Sequence, residues 1–267
     1  MVTQQLDETP FVRLTGVPWN VYEGFVDALE GHRLRHCYDR GMLELRREVL
    51  GVSWESYLAV LKALGDYHLR HTYNQGYLRL MSPLKSHDWV KRLISRFIES
   101  MAFDQQLPIQ SVGSTTITSA KAERGFEADE AYYVASEPKV RGKMEFEPDV
   151  DPPPDLILEV DVTSSSDDQL ELYAAMKVPE VWLHNGKTLR FLARNRRGKY
   201  ESRENSLAFP YLTPGDIQKF LKRYAAMDET TLVRQFVAWA RSRQEHWKNT
   251  QETTKIVTIK RPKGRKK

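Results

Sequence analysis

Three consecutive prolines, Pro152–Pro154, constrain this chain more than any other feature in it. Proline has a fixed φ and no N–H to donate, so neither a helix nor a central strand runs through such a triplet. A new element therefore starts at Asp155, and the chain reads Asp-Leu-Ile-Leu-Glu-Val-Asp-Val as far as Val162. With a period of two, Leu156, Leu158, Val160 and Val162 share one face of a strand; Asp155, Ile157, Glu159 and Asp161 share the other. Alternate residues stand roughly 7 Å apart, so three like charges on one face raise each other's pKa unless solvent or a cation relieves them. Two readings follow: an edge face left in water, or a face that holds a divalent metal. Oxygen-only ligands would select a hard ion, Mg2+ or Mn2+.

The flanking sequence gives this strand its setting. Ser164–Ser166 ends it and opens a helix whose inner face is Leu170, Leu172, Tyr173 and Met176, with Ser166 and Gln169 spaced as a capping box. Val181–His184, Thr188–Ala193 and Lys199–Arg203 read as further strands, the first two joined at Asn185-Gly186. Upstream, Ser86–Asp104 is the clearest helix, with a stripe of Trp89, Val90, Leu93, Ile94, Phe97, Ile98 and Met101. His87 sits in its first turn. Leu107–Val112 and Ser114–Thr118 read as strand pieces broken at Gly113, and Phe126–Val134 as a third strand carrying Glu127 and Asp129. Two helices, Pro214–Ala226 and Glu229–Arg243, close the body. This order of helices and strands predicts a mixed α/β core. In such a sheet, Asp129, Glu159 and Asp161 can gather at one end and hold a metal that activates water for phosphodiester cleavage.

An internal repeat precedes all of this. Val17-Pro-Trp-Asn-Val-Tyr22 returns 35 residues later as Val52-Ser-Trp-Glu-Ser-Tyr57, and the register holds through His36 and His71, Tyr38 and Tyr73, and Gly41 and Gly76. Each copy reads as a short helix followed by a hairpin, with His36 and His71 in structural roles, while residues 1–16 read as poorly structured.

Composition narrows the partners. The single cysteine, Cys37, excludes an intrachain disulfide framework and a cysteine-based zinc site. Nothing near Met1 reads as a signal peptide, and no window holds the roughly 20 apolar residues of a membrane span, so the expectation is a cytoplasmic protein with no membrane partner. The net charge of +4 comes from the end of the chain: residues 255–267 carry seven basic residues and no acid, and without them 33 basic residues face 36 acidic ones. Such a tail suits a salt-sensitive grip on a polyanion.

Met81-Ser-Pro with His87, Gly113-Ser-Thr-Thr116, Gly125-Phe-Glu-Ala-Asp129, Pro153-Pro-Asp155-Leu-Ile-Leu-Glu159-Val-Asp161, Tyr173-Ala-Ala and Val178-Pro-Glu-Val-Trp182 together resemble the Uma-two-type family of putative restriction endonucleases, a branch of the PD-(D/E)XK superfamily, in its cyanobacterial-like form. The resemblance implies a restriction-endonuclease-like mixed sheet core flanked by helices, here with an N-terminal helix-hairpin repeat. It implies Asp129 and Glu159 as metal ligands, joined by Asp161, with Gln169 and His87 beside them as site residues. The implied partner is DNA, cut with magnesium or manganese, and cutting both strands commonly takes two active sites and hence a homodimer. The expected division is residues 1–50 as an N-terminal extension, 51–245 as the nuclease domain and 246–267 as a basic tail. Two departures weigh on activity. The superfamily lysine two residues after the glutamate is replaced by Asp161, and Gln169 stands where some relatives carry a basic residue. A lysine would orient water and stabilise charge, whereas glutamine only hydrogen-bonds. The alternative is a catalytically silent DNA-binding or partner-binding protein on the same fold; a metal hydrolase of small phosphodiesters using the same acids is a third.

Overall fold

The computed structural model describes residues 11–15, 17–32, 36–40, 42–46, 48–65, 70–81, 85–113, 115–143, 147, 149–160 and 166–260. The duplicated sequence folds into two like units. The first runs β1 (Phe11–Thr15), α1 (Trp19–Ala28), β2 (His36–Asp39) and β3 (Met42–Arg46); the second runs β4 (Glu48–Leu50), α2 (Trp54–Leu64), β5 (Arg70–Asn74) and β6 (Tyr77–Met81). In each unit the leading strand and the first hairpin strand pair antiparallel with the last, giving β1-β3-β2 and β4-β6-β5. The side chain of Ser53 caps α2 by accepting from Ser56 N at 3.0 Å, satisfying one of the amides a helix start leaves without a partner. The two helices pack so closely that a Cβ at Gly24 would lie 3.2 Å from that of Ala63. One core, including Phe25, Leu29, Leu45, Val60, Leu64 and Leu80, joins both units.

The remainder supplies α3 (Lys85–Asp104), β7 (Gln110–Ser111), β8 (Thr116–Ser119), β9 (Arg124–Glu127), β10 (Glu130–Tyr133), α4 (Glu137–Val140), β11 (Leu156–Val160), α5 (Ser166–Ala175), β12 (Glu180–His184), β13 (Leu189–Arg194), β14 (Tyr200–Arg203), α6 (Pro214–Arg223), a 3-10 turn at Tyr224–Ala226 and α7 (Glu229–Lys260). Strands β9 and β8 extend the second unit's sheet to β4-β6-β5-β9-β8, and the others form a six-stranded sheet ordered β14-β13-β12-β11-β10-β7. Its β11 and β12 run parallel, with α5 as the crossover between them, and its other neighbours run antiparallel. Leu156, Leu158, Val160, Trp182 and Phe191 pack on one face against Phe97 of α3, Phe220 of α6 and Phe236 of α7. Ile157, Val181 and Leu183 pack on the other against Leu172 and Tyr173 of α5. Each large side chain so buried contributes about 1.5–3 kcal/mol. The result is a mixed α/β fold whose central sheet is covered on both faces. Among the described residues, no helix is long and apolar enough to cross a membrane.

Several expectations need correction. Phe126–Val134 is not one strand: it divides into β9 and β10, which belong to different sheets. The five residues of β11 are all buried, so its second face is not a solvated edge, and within Leu156–Val160 that face carries one carboxylate, Glu159. Asp155 lies before that strand. The pieces around Gly113 shrink to β7 and β8, because Gly113 takes φ +58° and turns the chain from one sheet to the other. Phe11–Thr15, expected to lack structure, forms β1, and β4 was not anticipated at all. The last helix does not stop at Arg243 but continues to Lys260, so residue 245 falls inside it.

Candidate active site

Ala128 and Asp129 carry the chain from β9, paired with β5 and β8, into β10, paired with β11 and β7. The register Glu130↔Leu158 brings Asp129 beside Glu159. Asp129 N donates to Glu159 Oε1 at 3.4 Å, and Val160 N donates to Asp129 Oδ2 at 2.6 Å. Both carboxylates are buried, with exposures of 1 % and 6 %. Parity explains the shared side: Ala131 and Ile157, in step with Asp129 and Glu159, belong to the core beneath α5.

That helix contributes the third member. Tyr173 donates its hydroxyl proton to Glu159 Oε1 at 2.5 Å, and Gln169 Nε2, one turn earlier, donates to the Tyr173 oxygen at 2.7 Å. The Tyr173 ring is clamped edge-on by Phe126 at 4.6 Å. Burial first, then the Glu159 charge, pushes the Tyr173 hydroxyl far above the usual tyrosine range. It therefore remains a protonated donor at any ordinary pH. Sequence reading placed Tyr173 on the inner face of α5 and missed its hydroxyl. The signal was present: Gln169 and Tyr173 are an i,i+4 polar pair on the helix that follows the glutamate strand. The Gln169 Nε2 group thus serves a side chain; the Ser166 side chain, its expected capping partner, lies outside what the structure describes.

Among the described residues, no group of three or more His, Cys, Asp or Glu side chains is placed to hold a metal ion. Asp161 lies outside the described residues, and of His87 the structure describes only its place in the first turn of α3, not its side chain. Asp129 and Glu159 are therefore the expected site residues brought together directly, with Gln169 linked to them through Tyr173.

Other acids near the sheet have different work. The Asp155 carboxylate accepts from Val134 N at 2.8 Å, Ser136 N at 2.7 Å and Ser136 Oγ at 2.9 Å, tying the end of β10 to the start of β11. Glu180 accepts from Trp182 Nε1, Ser206 Oγ, Leu207 N and Ala208 N, fastening the 206–212 loop to β12; burial pushes its carboxyl above the usual range. Glu130 accepts from Ser111 Oγ at 2.9 Å, and burial raises it likewise.

No curated protein matches the chain. Among solved structures it is similar to the crystal structure of a putative nuclease belonging to DUF820 from Anabaena variabilis, with a TM-score of 0.41 and 14% identity over 56% of this chain and 89% of that one. The family model described as Uma2, putative restriction endonuclease, matches residues 54–218, more than half of the sequence. The stretch it matches contains Asp129, Glu159, Gln169 and Tyr173, and the chain belongs to the Uma2 family of putative restriction endonucleases.

Proposed function

We propose that the protein is a metal-dependent endonuclease that hydrolyses DNA phosphodiester bonds at Asp129 and Glu159. The observation that carries this reading is the burial of two carboxylates side by side where the chain changes sheets, one of them held by the hydroxyl of a buried tyrosine. The donor set fits a hard divalent ion: Asp129 and Glu159 offer oxygen alone, and Asp161 is the third acid of the expected set. Magnesium or manganese bound there would lower the pKa of a water and counter the charge on the phosphate. The chain's own residues set the geometry. Val160 N orients Asp129, Tyr173 fixes the rotamer of Glu159, and Gln169 occupies a Tyr173 lone pair so that the phenolic proton points at the carboxylate. The basic residues from Lys255 onward supply sequence-independent attraction to the DNA backbone.

One observation favours a second reading, a catalytically silent DNA-binding or partner-binding protein. Gln169 is neutral where some relatives are basic, and its amide is engaged by Tyr173. Cleavage of supercoiled, linear and single-stranded DNA with magnesium or manganese separates the two. We expect nicking or cutting by the wild type, none by Glu159→Ala or Asp129→Ala, and more by Gln169→Lys. Tyr173→Phe should slow cleavage about 10- to 100-fold, the equivalent of losing one hydrogen bond to a charged group, ~1.5–3 kcal/mol. A folded protein that cuts none of these substrates, yet binds DNA without metal and loses that binding on deletion of residues 255–267, would establish the silent reading instead.

A further inference from the structure

The two repeat units arrange four rings alike. In the second, Tyr57 of α2 stacks on Tyr73 of β5 at 4.5 Å and 8°, stands 5.7 Å from His71, and is flanked by Trp54; the Tyr73 hydroxyl donates to Val52 O at 2.9 Å. In the first, Tyr22 of α1 stacks on Tyr38 of β2 at 4.5 Å and 20°, stands 5.7 Å from His36, and is flanked by Trp19; the Tyr38 hydroxyl donates to Val17 O at 2.9 Å. The surroundings differ. Strand β5 is covered by β9, and Tyr57, His71 and Tyr73 are buried. Strand β2 ends its sheet among the described residues; His36 is exposed and Trp19 is 59 % exposed. An open strand edge offers a row of backbone donors and acceptors for another strand.

We propose that the outer edge of β2 is a docking site for an extended segment of a partner protein, added as an antiparallel strand with a basic residue opposite Asp39, glycine opposite Tyr38 and an acid opposite His36. This is an interaction surface separate from the carboxylate pair, and β9 is its template within the same chain. Gly125 of β9 lies opposite Tyr73, and a Cβ there would come within 2.9 Å of Tyr57 Cε1 and Cζ. A tyrosine stacked in this way admits glycine at the facing position, and Tyr22 is stacked on Tyr38 at the same separation. Two residues on, Glu127 stands 3.8 Å from His71 Nδ1, and His36 holds the corresponding position in β2, its ring exposed but its Nδ1 3.3 Å from the Tyr22 hydroxyl. On the other side, Arg124 Nε donates to Asn74 Oδ1 at 2.9 Å, and β2 has Asp39 there, an exposed carboxylate held by its neighbour Arg40 that an incoming basic side chain would share or take over. The order basic–Gly–x–acid follows. Self-pairing of β2 between two copies does not meet these conditions, because His36-Cys-Tyr-Asp39 has no glycine to lie beneath Tyr22. Main-chain bonds would supply affinity, and the ring pair the selectivity.

The test uses the full chain and a fluorescently labelled synthetic peptide copying residues 121–129, which contains Arg124-Gly-Phe-Glu127. Anisotropy should rise saturably as protein is added. A peptide carrying the Gly125→Val change should bind at least about tenfold more weakly, the penalty for forcing a side chain against packed rings. Glu127→Gln in the peptide, or His36→Ala in the exposed strand of the protein, should each weaken binding several-fold. A bulky maleimide on Cys37, the chain's one cysteine, should also reduce it. No binding by the unmodified peptide, equal binding by the valine peptide, or indifference to His36→Ala would each overturn the proposal.

Discussion

Gly125 offers a sharp test of the packing between the second repeat unit and the strand that leads to Asp129. A Cβ added there would lie 2.9 Å from two ring carbons of Tyr57. The ring cannot retreat, because it is fully buried and stacked on Tyr73 at 4.5 Å, with Trp54 centred 5.4 Å away. Two effects of Gly125→Ala oppose each other. Restricting the unfolded chain favours alanine by about 0.4–1 kcal/mol, because Gly125 is not in the left-handed region where alanine would be strained. Overpacking a closed core costs about 1–3 kcal/mol. The second term is larger, so the net expectation is destabilisation by about 1–2 kcal/mol for alanine and more for valine. Urea unfolding should show a lower midpoint at unchanged slope. A double-mutant cycle with Tyr57→Leu, which removes the offending ring, should recover part of the loss. An alanine variant as stable as the wild type would show that the Tyr57 ring yields to a Cβ at this position, contrary to this expectation, and so would a cycle with no coupling.

Two further predictions concern groups outside the carboxylate pair. Asp155→Ala leaves the amides of Val134 and Ser136 without their acceptor, at about 1–3 kcal/mol each, and should lower thermal stability clearly. Asp155→Asn, with its oxygen in the Oδ2 position, keeps both amide bonds and should cost only about 1 kcal/mol; equal losses in the two variants would contradict this. Arg241 on α7 pairs with Asp104 at the end of α3 and holds that carboxyl below its usual range. A depressed folded-state pKa gives stability that is complete above the unfolded value near ~3.9 and is lost as pH falls through the lower folded value. Asp104→Asn should therefore be less stable than the wild type at neutral pH and converge with it in denaturant titrations below pH ~4.

How much of this was legible in the sequence depended on whether a feature was set locally. The spacing of Leu156, Leu158 and Val160 against Ile157 and Glu159 assigns the two faces of β11 correctly, because strand parity is a backbone property. What that spacing does not contain is the cover over the second face, which comes from α5 and from Phe126 on a strand of another sheet. A face that looks charged in isolation is thus buried in the fold. Asp155 shows the same limit on a smaller scale: parity groups it with Glu159, but the strand starts one residue later and its carboxylate reaches β10's end instead. The short strands β1 and β4 owe their form to the partners they pair with rather than to residue preference. The length of α7 could have been read: no proline or glycine interrupts the chain between Glu229 and Pro262.

The passage of the backbone between sheets at Ala128–Asp129 has a mechanical consequence. Only two residues separate the last rung of the β8–β9 ladder, at Glu127, from the first rung of the β10–β11 ladder, at Glu130. The chain also crosses between these sheets from β6 to β7 and from β7 to β8, but only this crossing carries Asp129, so a shear of the duplicated half against the six-stranded half that is taken up here would alter the distance from Asp129 to Glu159. The N-terminal units thereby have leverage over the acidic pair without contributing an atom to it.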